Sequence, residues 1–127
     1  MRVFGVLALL LLTITAAPGQ STRSAASGAP LKLTFAYSAN PDCSAYGQTT
    51  IRLIEAAKHG SVRIARATDF PSYPASNIRN VCNTHRIAGT VAHYVSQHGF
   101  RGIDTVAIEI IFPTGRLERY SYTIDVR

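Results

Sequence analysis

The chain of 127 residues has no tryptophan, one methionine at its start, two cysteines and seven acidic residues against 13 Lys+Arg. Each scarcity narrows the field. No serine sits in a Gly-x-Ser-x-Gly elbow, and no glycine-rich phosphate loop or dinucleotide fingerprint is present. With so few carboxylates and none in a diagnostic pairing, the chain reads as a non-enzyme with no cofactor. Neither cysteine has a partner at Cys-x-x-Cys spacing, which argues against a zinc ribbon. No stacking-aromatic motif marks a nucleic-acid binder. The longest apolar run, Phe4 to Leu12, is about half the roughly 20 residues a membrane-spanning helix needs. At 46% hydrophobic and 16% charged the composition excludes a disordered chain, and a length of 127 residues excludes a multidomain enzyme.

What is present begins with an export signal. Met1-Arg2-Val3 is a short basic start, the apolar run follows, and Thr13 to Gln20 is rich in small residues, the three-part layout of a secretory signal peptide. Cleavage is expected after Gly19. The protein would then be periplasmic or extracellular, with no membrane span after processing. Losing residues 1–19 removes Arg2 and no acid, so the net charge falls from +6 to +5. Residues 20–30 (QSTRSAASGAP) carry almost nothing apolar to bury and read as a flexible leader. The folding unit is then 31–127. In an oxidising compartment an even cysteine count argues for a bridge between Cys43 and Cys82. For a loop of that length closure entropy is worth about 3–4 kcal/mol.

Alternation of period two dominates that unit. Leu31, Leu33, Phe35 and Tyr37 share one face of a first strand; 49–55, 61–66 and 90–95 read as three more. Residues 103–112 place Val106, Ile108, Ile110 and Phe112 on one face, with Glu109 opposite. After Pro113-Thr114-Gly115, residues 116–126 do the same with Tyr120, Tyr122, Ile124 and Val126. One buried and one wet face is the mark of antiparallel sheet. Short strands with Gly/Pro punctuation predict an all-β antiparallel sandwich of about six to seven strands. Residues 68–88 do not fit. They hold two prolines, three asparagines and Cys82 without periodicity, and loops that long are usually functional or disordered.

The charged and metal-ligating residues are dispersed. His59, His85, His93 and His98 show no metal-ligand spacing, and a site would need His93 and His98 to converge with a third ligand. Glu109 and Glu118 read as separate surface charges balanced by Arg116 or Arg119. From Gln48 to Arg101 seven basic residues face only Glu55 and Asp69. Arginine forks bind carboxylate and phosphate bidentately, so this half predicts a positive surface for an acidic protein or an anionic polysaccharide. The candidate contacts are Arg52, Arg63, Arg66, Phe70, Tyr73, Arg79 and Arg86. Two further uses of the chain are an inhibitor or effector acting through the pinned loop 68–88, and a small periplasmic metal-binding protein.

Residues 89–104, with Tyr94 closing a short strand and Gly99-Phe100-Arg101-Gly102-Ile103-Asp104 forming a turn before two long strands, resemble the bacterial Ig-like or cadherin-like repeat domains of surface proteins. Lys58-His59-Gly60-Ser61-Val62 resembles the earlier hairpin entry of that family. The resemblance spans roughly 49–66 and 89–127 and implies an Ig-like sandwich, while saying little about activity; with its basic surface the chain reads as an exported single-domain binding or interaction module. Gly99, Phe100, Gly102 and Asp104 are then structural turn residues, with the Asp104 carboxylate bonding its own backbone. The acidic Ca²⁺-ligand clusters of cadherins are absent from this sequence.

Overall fold

A computed structural model describes residues 19–127; the expected export segment lies, except for Gly19, outside the described residues. Seven strands follow in order: β1 (Gly19–Ala25), β2 (Leu31–Ala36), β3 (Thr50–Glu55), β4 (Gly60–Asp69), β5 (Ile87–Ser96), β6 (Gly102–Ile111) and β7 (Leu117–Val126). A 3₁₀ helix, Ile78–Thr84, interrupts the β4–β5 connection. One sheet has the order β1-β7-β6-β3 and the other β2-β5-β4. The two make an open, all-β sandwich. Among the described residues no helix is long and apolar enough to cross a membrane.

The core follows from the alternation. Val106, Ile108 and Ile110 of β6 and Tyr122, Ile124 and Val126 of β7 are buried, and they meet Leu33, Ala36, Ala92 and Tyr94 of the facing sheet. Each fully buried large side chain contributes about 1.5–3 kcal/mol. The β6–β7 hairpin pairs without interruption from Gly102↔Val126 to Ile111↔Leu117. Gly115 supplies the left-handed backbone of its turn, at φ 85°.

Four expectations need correction. Of the expected flexible leader 20–30, residues 20–25 form with Gly19 a strand that runs parallel to β7, from Gly19↔Tyr120 to Ala25↔Val126, so the sandwich is not wholly antiparallel. Polar composition concealed it because an edge strand is held by backbone ladder bonds. Its one buried side chain is Ala25. In β2 the register shifts between Lys32 and Thr34, so Leu33 stays in the core while Phe35 comes opposite Val91, outside the core cluster. A bulge inserts one residue and moves the following side chains to the other face. The irregular loop is shorter than expected, because Thr68↔Ala88 and Asp69↔Ile87 still pair.

The fourth correction concerns carboxylates. Asp104 is buried in β6 and does more than bond its own backbone. Its oxygens accept the N–H groups of Lys58 and His59 at 3.0 Å each and of Thr105 at 2.9 Å, and the Tyr94 hydroxyl at 2.8 Å. Burial alone would raise its pKa; these donors outweigh burial and hold it below the usual value. Phe100 stacks on His59 with centroids 4.3 Å apart, so Phe100 and Asp104 together latch the β3–β4 corner. Glu109 is balanced by Arg119, as expected, but is buried and not a surface charge. Its carboxylate, only 1% exposed, lies under the side chains of Arg52 and Arg119, one strand to either side.

Candidate functional site

The three connections 37–49, 70–86 and 112–116 gather at one end of the sandwich. The Cys43–Cys82 disulfide joins the first two, with Cα atoms 5.4 Å apart and Cys82 fully buried. Around it runs a lattice of hydrogen bonds. The Ser72 N–H donates to the Tyr37 hydroxyl at 2.7 Å, and the Ala39 N–H donates to the Tyr73 hydroxyl at 3.2 Å. Arg79 donates its Nε to the Ala39 carbonyl at 2.7 Å. Asn83 accepts the Tyr73 N–H and returns a bond to the Tyr73 carbonyl, at 2.8 and 2.9 Å. Asn77 caps the 3₁₀ helix by accepting the Arg79 N–H at 2.8 Å. A segment without hydrophobic periodicity is thereby held in one conformation by side chain-to-backbone bonds.

Two hollows open between these connections, of about 320 and 450 Å³, and they share Tyr37, Tyr73, Phe112 and Arg116 in their walls. They form one groove from the mouth of the core, floored by Ile110, to Tyr46 and Arg79 at the rim. Tyr37 and Tyr73 rings meet edge to face at 5.2 Å. The Arg116 guanidinium lies 4.2 Å from the Phe112 ring centre and bonds Glu118 at 2.6 Å. Tyr120 donates to the other Glu118 oxygen, also at 2.6 Å, and that bond, with burial, pushes its pKa up to about 12. Burial likewise holds the Tyr37 hydroxyl above its ordinary pKa. Both Tyr37 and Tyr73 accept a backbone N–H, which leaves each hydroxyl proton directed to other acceptors.

The arginines expected to share a positive face are spread over two sheets and the loop. Arg52 of β3 pairs with Glu109 of β6. Arg66 donates to Thr90 Oγ1 at 3.1 Å. Arg63 stands opposite His93 beside a separate hollow of about 520 Å³. Arg86 bonds the Thr68 carbonyl and lies 4.9 Å from the ring centre of Phe70, at the base of the loop. Only Tyr73 and Arg79 of the seven reach the groove. Tyr37, Tyr46, Phe112 and Arg116 complete its walls. For Tyr37 and Tyr46 the sequence carries one signal, that 37–49 bears Cys43 and so meets the loop bearing Cys82.

On the outer side of the pinned loop, Ile78 and Val81 are 69% and 63% exposed. In a 3₁₀ helix residues i and i+3 eclipse, so the two make one apolar ridge. Among the described residues no three His, Cys, Asp or Glu side chains converge as a metal site would require. His59 is instead stacked on Phe100, and His85 caps the 3₁₀ helix. No protein-family model, curated protein or solved structure matches the chain.

Proposed function

We propose that this chain is an exported, single-domain Ig-like binding module whose loop-bearing end engages an anionic partner. Ig-like topology is favoured by the strand order. Lettering the strands A to G gives one sheet A-G-F-C and another B-E-D, the split of an Ig sandwich with its first strand on the G side. Export is favoured by the leading basic-apolar-small segment together with the disulfide. The observation that carries the binding role is the disulfide-tied convergence of three connections around one groove. Pre-organised loops on a rigid scaffold lower the entropic cost of recognition. Arg79 and Arg116 against the single carboxylate of Glu118 leave that groove with a net positive lining.

The test is retention of the secreted protein on a heparin matrix and on a cell-envelope extract. The Arg79→Gln/Arg116→Gln variant is expected to lose retention at moderate salt, while Arg63→Gln/Arg101→Gln keeps it. Equal loss by both variants means diffuse attraction to a basic protein and refutes the reading.

The Ile78–Val81 ridge favours a second reading, an inhibitor or effector that inserts the pinned loop into a protein cleft. Capture of a protein partner by the wild type but not by Ile78→Ser/Val81→Ser is its expected result. Capture unaffected by that variant excludes it.

A further inference from the structure

We infer that the loop-end groove is a saccharide site, built for an acidic oligosaccharide with the ring of one sugar against the aromatic wall and its carboxylate toward Arg79 and Arg116. This rests on the reading that the loop end is the binding surface, and it names the ligand class. Three observations converge on it.

Aromatic rings are concentrated here. Phe35, Tyr37, Tyr46, Tyr73, Phe112 and Tyr120 line the two hollows, six of the eleven Phe and Tyr in the chain. Ile110 is the one branched aliphatic side chain among the lining residues. A groove for an apolar peptide side chain would carry aliphatic pockets, and strand addition would present an edge backbone instead. Aromatic faces bear negative charge density, and the C–H bonds on the face of a pyranose ring present the complementary positive edge.

The polar groups are of the kind a polyhydroxylated ligand requires. Tyr37 and Tyr73 are fixed by the backbone N–H groups of Ser72 and Ala39, so each offers a donor from a set position. Glu118, anchored by Arg116 and Tyr120, supplies an acceptor for a sugar hydroxyl. These groups lie within walls of tyrosine rings, which alternate apolar face and polar tip as a sugar does.

Charge selects the acidic sugar. Arg79 uses Nε on the Ala39 carbonyl, while its two terminal nitrogens have no acceptor among the described residues. Two terminal N–H groups on one guanidinium match the spacing of a carboxylate. The hollow sizes of about 320 and 450 Å³ fall in the range of small-ligand sites, about 300–1,000 Å³, enough for one to two sugar residues each.

The experiment is an amide-resolved NMR titration of the ¹⁵N-labelled secreted protein with hexagalacturonate, with its methyl ester, and with hexaglutamate as an acidic peptide. Hexagalacturonate is expected to shift resonances of 37–40, 72–79 and 112–118. Esterification is expected to weaken binding at least tenfold. Phe112→Leu, which keeps an apolar side chain, and Arg79→Gln are each expected to weaken it tenfold or more, with Arg63→Gln unchanged. The spectrum of each variant reports whether it is folded, and Tyr37→Phe provides a milder change, removing the hydroxyl and keeping the ring. Equal binding of hexaglutamate, or insensitivity to Phe112→Leu, overturns the saccharide assignment and leaves an anion-binding loop end standing. No shift with any of the three anions or esters, together with unaltered heparin retention by Arg79→Gln/Arg116→Gln, overturns both.

Discussion

The Tyr94 hydroxyl donates to Asp104 Oδ2 at 2.8 Å in the interior of the sandwich, joining a strand of the smaller sheet to one of the larger. The same carboxylate holds the backbone of the β3–β4 corner. Tyr94 pays for its burial through this bond, and its own pKa is raised by burial first and by Asp104 second.

Replacing Asp104 with Asn keeps the size but turns an NH₂ group toward donors. We expect Asp104→Asn to lose about 2–4 kcal/mol, the cost of unsatisfied buried donors and a lost charge-assisted bond. Urea unfolding measures it. A midpoint unchanged from wild type refutes the latch.

Glu109 ties three strands through Arg52 and Arg119. The Arg52 hydrogen bond chiefly lowers its pKa below the ordinary 4.5. The ionised carboxylate therefore contributes stability that is present above pH 4.5 and lost as pH falls through the lower folded value. Thermal melts of wild type and Glu109→Gln should differ near neutrality and converge in acid. A difference independent of pH contradicts this assignment.

Tyr120 has the opposite sign. Its folded pKa of about 12, against 10.0 ordinarily, means stability fully present below pH 10 and lost as pH rises through 12. Ultraviolet titration of Glu118→Gln should show one tyrosine ionising earlier than in the wild type. Superimposable curves would place the cause elsewhere.

Removing the disulfide as Cys43→Ser/Cys82→Ser should lower stability by about 3–4 kcal/mol. Backbone ladders do not depend on it, so far-ultraviolet circular dichroism at low temperature should keep its β signature. Limited proteolysis should cut within 70–86, where the wild type resists. Equal resistance would mean that the Tyr37, Tyr73 and Asn83 bonds suffice.

At Gly89 a methyl group would lie 2.6 Å from the Ala36 carbonyl oxygen and from Phe35 Cζ. Gly89→Ala should cost about 1–3 kcal/mol by overpacking, and Phe35→Leu should recover part of it. Additive losses in the double variant would show that the ring is not the obstacle.

Two-residue alternation made the β6 and β7 strands and their buried faces legible, and the even cysteine count made the Cys43–Cys82 bridge legible. The bulge at Leu33 was not, since an inserted residue leaves no mark in composition. Strand β1 was hidden because Gly19–Ala25 is paired through backbone, to a partner a hundred residues away. The roles of Asp104 and Glu109 depend on Lys58, His59 and Arg52, at separations of 45 to 57 residues, which local pattern does not reach. The same holds for the groove. Tyr73 and Arg79 stand out in the sequence because their loop is anomalous, whereas Phe112 and Arg116 look like ordinary hairpin residues until the fold brings them beside it.

Because β1 runs parallel to β7, Gln20 lies beside Ser121 and Ala25 beside Val126. A pull on the two ends of the domain therefore drags these strands past each other along their length. All the bonds between them bear the load together, instead of opening one after another like a zip. A module tethered at one end and gripped at the other would yield only at high force, and the long β6–β7 ladder behind the clamp would stay shielded until it did.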